Sequence, residues 1–223
     1  MAFAEGVRPQ VVLLFGPPGA GKGTIGAMIC AAGNHFHLSS GSIFRNLSPE
    51  SESGRTVHDY AARGELVPDE LTIRIWQRYT AGLIDTNRYF PHQQLLLLDG
   101  IPRTAAQVDL MHELVDVRHV IVLEVHDTAV LERRIARRAK IEKRLDDADP
   151  EVLRQRFREY ATKTLEVLEK YPDDIVEYYD AQQTPIEVLR DVLLGSADVL
   201  KAMPQPMPNH RPVLERPPVG SLG

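Results

Sequence analysis

Cysteine is almost missing from this 223-residue chain, which contains a single one, Cys30. One thiol can form neither an internal disulfide nor a zinc site built from several thiolates, and such scarcity is typical of a reducing compartment. Long apolar runs are also missing, so the sequence predicts no membrane-spanning helix and no membrane partner. Residues 1–10 lack the apolar core of a secretory signal, and we therefore expect a cytoplasmic protein.

No strong excess of one charge is present either, since the formal net charge is -5. A mildly acidic chain has no general attraction for nucleic acid or anionic membranes, so an anionic ligand has to be met by local clusters of cations. The 43% hydrophobic and 26% charged residues are ordinary values for a globular protein. A chain of this length can form one domain with a sizeable core.

Short apolar segments alternate with helical segments along most of the chain. The alternation predicts an α/β fold with a parallel sheet covered by helices on both faces. The predicted strands are Val11 to Phe15, His35 to Ser39, Gln94 to Leu98, His119 to Val125 and, more weakly, Asp174 to Tyr179. The predicted helices are Gly23 to Ala32, Glu70 to Leu83, Ala105 to Leu114, Ala129 to Ala139, Glu151 to Lys170 and Pro185 to Ala202.

Three segments interrupt this alternation. Residues 42–67 are polar and broken by Pro49 and Gly54, which predicts a small helical excursion from the sheet. Residues 138–149 are short and mostly charged. The tail, residues 203–223, contains six prolines and little that could form a core, and we expect it to be disordered.

A glycine-rich loop links the first predicted strand to the first predicted helix. Its pattern is Gly16-x-x-x-x-Gly21-Lys22, in which backbone N–H groups at a helix N-terminus can wrap phosphate oxygens. Gly23 follows the lysine, and the hydroxyl residue comes one place later, at Thr24. The loop therefore predicts a nucleotide phosphate site.

The run from Gly16 to Thr24 resembles the phosphate loop of the adenylate kinase family, in which the extra glycine is usual. The resemblance implies a P-loop three-layer sandwich with a five-stranded parallel sheet. It also implies a nucleoside monophosphate kinase domain over residues 10–202, after an extension at 1–9, with an insertion that binds the monophosphate at 39–67 and a short lid at 138–147. The expected ATP-binding residues are Gly19, Ala20, Gly21, Lys22, Gly23, Thr24, Arg133 and Arg137.

The segment Ser39-Ser40-Gly41-Ser42-Ile43-Phe44-Arg45 is similar to the part of the family that meets the acceptor nucleotide. The resemblance implies that Ser40 contacts the nucleoside and Arg45 its phosphate. Ser42 departs from the family, which commonly has aspartate there. By the same resemblance, Glu65, Leu66 and Val67 contribute to the acceptor site.

The segment from Asp99 to Gln107 is the most specific match after the glycine loop. A carboxylate at the carboxyl end of a buried strand is costly unless it is solvated or lies near a cation, and this edge of an α/β sheet is where ligands bind. The resemblance implies that Asp99 holds Mg²⁺ through water, that Gly100 and Arg103 contact the acceptor, and that Gln107 reads a base edge.

Seven cations and one acid, Glu142, lie within residues 133–144. A solvated helix face or a nucleic-acid patch are the simpler readings, although stacking aromatics are absent there and the whole chain is acidic. Arg133 and Arg137 share one helix face. The pattern resembles the family's lid, which implies roles for Arg137, Arg144 and Arg156 in catalysis and for Arg144 and Arg156 in acceptor binding. Only five residues separate Arg138 from Arg144, so we expect no zinc.

These matches imply a Mg²⁺-dependent monomer that transfers a phosphoryl group from ATP to a nucleoside monophosphate. The expected catalytic residues are Lys22, Arg103, Arg137, Arg144 and Arg156. Ser40 with Gln107 favours AMP, whereas the short lid leaves a UMP/CMP kinase open. An inactive nucleotide-binding module also remains open, because of Ser42. A GTPase switch is disfavoured, since the sequence lacks an Asn-Lys-x-Asp motif.

Overall fold

The computed structural model describes residues 8–142 and 145–201. Three predictions lie outside these residues: most of the extension at 1–9, the lid residue Arg144, and the disorder of the tail at 203–223. Within the described ranges, none of the helices has both the length and the apolar composition needed to cross a membrane.

Five parallel strands form a single sheet in the order β2-β3-β1-β4-β5. Each predicted strand is present, with bounds shifted by a few residues at most. The strands are β1 Gln10–Phe15, β2 Phe36–Ser39, β3 Leu96–Asp99, β4 Asp116–Glu124 and β5 Val176–Asp180. The predicted five-stranded parallel sheet is therefore confirmed.

Helices connect the strands and cover both faces of the sheet. They are α1 Lys22–Gly33, α2 Ser40–Arg45, α3 Glu52–Ala62, α4 Asp69–Asp85, α5 Ala105–Met111, α6 Thr128–Glu142, α7 Leu145–Ala148, α8 Pro150–Leu168, α9 Pro185–Gly195 and α10 Ala197–Lys201, with a 3-10 turn at Asp173–Ile175.

Two hydrophobic cores lie on opposite faces of the sheet. Along β1, Val11 and Leu13 belong to one core, whereas Val12 and Leu14 belong to the other. All four are buried, because side chains alternate between the two faces of a strand. The unbroken apolar run is thus explained by burial on both sides, and the three-layer arrangement is confirmed.

The last predicted helix is broken in two, which differs from the sequence-based expectation. Gly195 ends α9 where the helix packs against β5, and a Cβ there would clash with the hydroxyl of Tyr179. Ser196 follows, and its hydroxyl lies 3.0 Å from both Tyr179 Oη and His119 Nε2. This buried polar contact with β4 and β5 interrupts a segment whose apolar spacing is continuous.

The two irregular segments of the chain are short and helical. The helical excursion that the composition predicts for residues 42–67 is present as α3 and as α2, which already begins at Ser40. In the second segment α6 continues to Glu142 and α7 begins at Leu145, so little chain is left for a lid. The domain boundaries given above remain predictions.

Candidate active site

The glycine loop joins β1 to α1 at the carboxyl edge of the sheet. Gly19 and Gly21 have φ values of 86° and 98°, a conformation that residues with a side chain rarely adopt. A Cβ on Gly19 would also lie 2.9 Å from Cγ1 of Ile135. Lys22, the first residue of α1, folds back and donates from Nζ to the carbonyl oxygens of Gly16 at 2.7 Å and Pro17 at 3.1 Å. The side chain of Lys22 thus links the end of the loop to its beginning.

Lys22 lies at the electrostatic centre of the site. Burial lowers its pKa to about 8, and the negative charge of Asp99 opposes this shift. The positive charges of Arg103, Arg138 and Arg156 lower the pKa further. The pKa of this one ammonium group in the glycine loop is therefore shifted by charges from the β3 edge and from the lid. Such a concentration of charge is expected of a site for polyanionic ligands.

Asp99 is the last residue of β3, where it pairs in register with Leu14 of β1. It is 9% exposed, and its Oδ2 would lie 3.9 Å from a Cβ on Gly23, so the carboxylate faces the start of α1. Among the described residues, no group of three or more His, Cys, Asp or Glu side chains could hold a metal ion. A lone carboxylate fits Mg²⁺, which commonly takes one or two carboxylates and completes its shell with water and substrate phosphates.

The carbonyl oxygen of Gly100 organises the acceptor side. Ser40 donates its hydroxyl to this oxygen at 2.7 Å, and Arg103 donates from Nε at 2.9 Å. Gly100 has a φ of 78°, and a Cβ there would lie 2.7 Å from Ser40 Oγ. The structure therefore brings these three predicted site residues together around one turn.

Gln107 is buried beside them, with both ends of its amide engaged. Its Oε1 accepts from the backbone N–H of Arg103 at 2.7 Å, and its Nε2 donates to Oδ1 of Asp69 at 2.8 Å. Asp69 Oδ1 also accepts from the hydroxyl of Thr104 at 2.9 Å. Each end of a glutamine amide can form a second hydrogen bond, and the residue as a whole is 2% exposed. The sequence did not single out Asp69, which orients the amide of Gln107 in the structure.

The remaining predicted acceptor residues lie around the helical insertion. Arg45 ends α2, is exposed, and donates from Nη2 to Ser42 Oγ at 3.3 Å. Glu65 is exposed and pairs with Arg63, whereas Val67 is 6% exposed in the hydrophobic core. Leu66 lies between them, in the turn before α4. None of these contacts tests whether the four residues bind the acceptor, so their predicted roles in acceptor binding stay predictions.

Asp147 holds the arginines of the lid segment. Its side chain is 0% exposed and accepts from Nε and Nη2 of Arg138 at 2.6 and 2.8 Å and from Nη1 of Arg156 at 2.7 Å. Arg133 and Arg137, in contrast, are exposed on α6. Sequence reasoning identified Arg156 but did not include Arg138 or Asp147 among the site residues. The Asp146-Asp147 pair beside the basic run was the signal that could have identified Asp147.

Comparisons with known proteins agree with this geometry. The sequence matches the family model described as Adenylate kinase over residues 14–176. It is 36% identical over 169 residues to an adenylate kinase from Flavobacterium psychrophilum, covering 73% of this chain and 85% of that protein. It is 38% identical over 168 residues to the adenylate kinase of Flavobacterium johnsoniae, covering 73% of this chain and 84% of that protein. For the adenylate kinase of Thermobifida fusca, the identity is 37% over 165 residues, covering 72% and 83%. The chain belongs to the adenylate kinase family.

Proposed function

We propose that this protein catalyses the reversible, Mg²⁺-dependent reaction in which ATP and AMP give two ADP. As a member of the adenylate kinase family, the chain is a phosphotransferase that acts on a nucleoside monophosphate. The relatives carry the name adenylate kinase, which favours AMP over UMP or CMP and an active enzyme over an inactive nucleotide-binding module.

The single observation that carries the proposal is the convergence of charges on Lys22. Asp99, Arg103, Arg138 and Arg156 come from three separate parts of the chain, and each shifts the pKa of this one lysine. Arginines from the acceptor turn and the lid add positive charge beyond that of the glycine loop and its lysine. This excess suits two phosphorylated ligands bound side by side, because together they bring several negative charges to one place.

Phosphoryl transfer depends on positioning and charge neutralisation by the protein more than on covalent participation of its side chains. The acceptor phosphate oxygen attacks the γ-phosphorus of ATP, and the bond from that phosphorus to the bridging oxygen of ADP breaks. Lys22 and the arginines neutralise charge that spreads over the transferred group. We propose catalytic roles for Lys22, Arg103, Arg137, Arg144 and Arg156.

Magnesium would be held by ATP, with Asp99 binding its water ligands, and it would supply charge neutralisation at the phosphates. The glycine loop and Lys22 bind the donor phosphates, and Ser40 with Arg103 and Gln107 binds AMP. The transferred group has to be kept from water during the reaction, since water could otherwise accept it.

We further propose a cytoplasmic monomer that works without nucleic acid. The single thiol, Cys30, is buried, and burial raises its pKa to about 12, so it is not poised for intermolecular disulfide formation. Light scattering coupled to gel filtration would test the oligomeric state. A mass near 25.0 kDa would agree with a monomer, and about twice that value would contradict it.

An acceptor screen tests the proposed reaction. ATP and Mg²⁺ are mixed with the protein and AMP, UMP, CMP or dTMP, and ADP is measured by a coupled assay. We expect the fastest turnover with AMP. Activity with a pyrimidine acceptor and none with AMP would contradict the assignment.

The Arg103→Ala variant separates an enzyme from a binding module. Removing this guanidinium should lower kcat on the order of 10³-fold, because it contacts the transferred charge. The affinity for ATP should stay unchanged. Arg118→Ala is a matched control, since Arg118 lies on β4, away from the glycine loop, and pairs with Asp116. Equal activity of Arg103→Ala and the wild-type protein would exclude the proposed role.

A further inference from the structure

The loop of residues 181–184, called here the β5–α9 loop, lies at the same sheet edge as the glycine loop. All five strands are parallel, so their carboxyl ends share that edge. The proposed acceptor residues Ser40 and Gly100 directly follow β2 and β3, on one side of β1. Strands β4 and β5 lie on the other side. If the glycine loop binds the donor phosphates, the donor base has to extend toward the loops after β4 and β5.

Arg134 binds this loop through three successive carbonyl oxygens. From α6, its Nη1 donates to Ala181 at 2.7 Å, and its Nη2 donates to Gln183 at 3.0 Å and to Gln182 at 3.4 Å. Burial lowers the pKa of the guanidinium, as does the charge of the adjacent Arg133. Arginine remains charged in proteins, so these are charge-assisted bonds in a partly dry environment. Lysine has no planar fork and could not reach all three oxygens in this geometry.

Two further hydrogen bonds hold the β5–α9 loop in place. The N–H of Ala181 donates to the Glu124 carbonyl at 2.8 Å, and Gln182 Oε1 accepts from the N–H of Asp127 at 2.8 Å. The loop is therefore attached to α6 by Arg134 and to the segment after β4 by these two bonds. No residue from the acceptor side takes part.

One amide of the loop is left for a ligand. The N–H groups of residues 181, 182 and 184 donate to Glu124 O, Asp180 Oδ1 and Glu187 Oε2. The N–H of Gln183 donates to no residue in the described part of the chain. Its own carbonyl is held by Arg134, so the orientation of this peptide group depends directly on the guanidinium.

We propose that Arg134 is a positioning residue that holds the β5–α9 loop in the conformation that contacts the base of the donor nucleotide. This inference rests on the proposed function, because it needs ATP on the glycine loop. A backbone donor at a fixed position tells adenine from guanine, since the two bases differ in the hydrogen-bonding groups at ring positions 1 and 6. Arg134 would thus contribute to the choice of donor without touching it.

The test compares Arg134→Leu and Arg134→Lys with the wild-type protein. In Arg134→Leu, we expect the KM for ATP to rise about tenfold while the KM for AMP stays unchanged. The ratio of kcat/KM for ATP to that for GTP should fall by a similar factor. Arg134→Lys keeps the charge without the planar fork, so its KM for ATP and its ATP-to-GTP ratio should lie between those of the wild-type protein and Arg134→Leu. Arg118→Leu is the matched control and should change none of these values.

Two results would overturn the proposal. One is an unchanged KM for ATP and an unchanged ATP-to-GTP ratio in a folded Arg134→Leu protein. The other is an equal change for ATP and AMP together with a lower melting temperature, which would indicate a structural role only. If Arg134→Leu does not fold, Arg134→Lys and Arg134→Gln supply the same comparison.

Calorimetric titration with ATP alone separates this inference from the proposed function. If the wild-type protein shows no transfer from ATP to AMP, the proposed function fails. ATP binding that is still weakened in Arg134→Leu would then support the positioning role by itself. Binding of equal strength in the two proteins would overturn it.

Discussion

The acceptor side of the site and the lid are held in place in different ways. On the acceptor side, the side chains of Ser40 and Arg103 both donate to the Gly100 carbonyl. The amide of Gln107 accepts from the backbone N–H of Arg103 and donates to Asp69. In the lid, Arg138 and Arg156 share one buried carboxylate, Asp147. The acceptor side is thus organised around backbone groups at the end of β3, whereas a shared buried carboxylate joins these lid arginines.

This difference has a chemical reason. The acceptor residues border the end of β3, where the sheet holds the backbone rigidly and carbonyl oxygens are available as partners. The lid lies beyond the sheet, on the ends of three helices, and has no such scaffold. Two guanidinium groups brought close together there repel each other unless an anion lies between them. The carboxylate of Asp147 meets that need, because it binds both Arg138 and Arg156.

Among the residues that hold others in place without contacting the transferred group, the largest effect is expected from removing the carboxylate of Asp147. Asp147→Asn keeps the shape but loses the charge that orients Arg138 and Arg156. Misplaced arginines should lower kcat about 10²-fold, and lost charge-assisted bonds should lower the free energy of unfolding by about 1–3 kcal/mol. Steady-state kinetics and urea unfolding measure the two effects.

Asp149→Asn is the control for Asp147→Asn. Asp149 lies two residues away and caps α8 by accepting from the backbone N–H groups of Glu151 and Val152, a role that asparagine also fills. If Asp147→Asn and Asp149→Asn lower kcat by the same factor, Asp147 has no special role in placing the lid arginines, and the contrast between the lid and the acceptor side is wrong.

A smaller effect is expected from removing the side chain of Gln107, because Ser40 and Arg103 stay bound to the Gly100 carbonyl. Gln107→Ala should raise the KM for AMP about tenfold, since one base contact is lost while Ser40 and Arg103 keep the Gly100 carbonyl. The KM for ATP should not change. The exposed Gln93 offers the control variant, Gln93→Ala. A loss of turnover as large as that of Asp147→Asn would show that Gln107 holds the acceptor side as strongly as Asp147 holds the lid arginines, which would contradict the comparison.

The smallest effect is a pH dependence that distinguishes donor from acceptor binding. In the free protein, burial lowers the pKa of Lys22 to about 8, and bound phosphates should raise it again. ATP binding then takes up a proton above pH 8, so the affinity should fall as pH rises, by at most about tenfold per pH unit. AMP binding should change less, because arginines stay charged.

Calorimetric titration of each nucleotide alone, between pH 7.5 and 9.5, would measure the two affinities. Lys22→Met provides the control, since it should bind ATP weakly and without this pH dependence. A parallel loss of affinity for ATP and AMP would indicate that Lys22 acts on both halves of the site equally.

The strands, most helices and the glycine loop were predictable, because each depends on local pattern. The apolar run of β1 and the glycines before Lys22 lie within a few residues of each other. The break at Ser196 was not predictable, because it depends on His119 and Tyr179, residues 77 and 17 positions away. Local periodicity continues through this point, so nothing in the segment itself marks the end of α9.

By itself, the sequence determined the fold class, the nucleotide loop and the family, since these depend on residue order and spacing. Only the tertiary structure decided which of the clustered arginines act together. Arg137 and Arg138 are neighbours in sequence, yet Arg138 reaches Asp147, whereas Arg137 is exposed. Helix geometry points successive side chains in directions about 100° apart, and the packing of α6 against α7 decides which of them is turned inward. For the same reason, Arg134 reaches a loop 47 to 49 residues away.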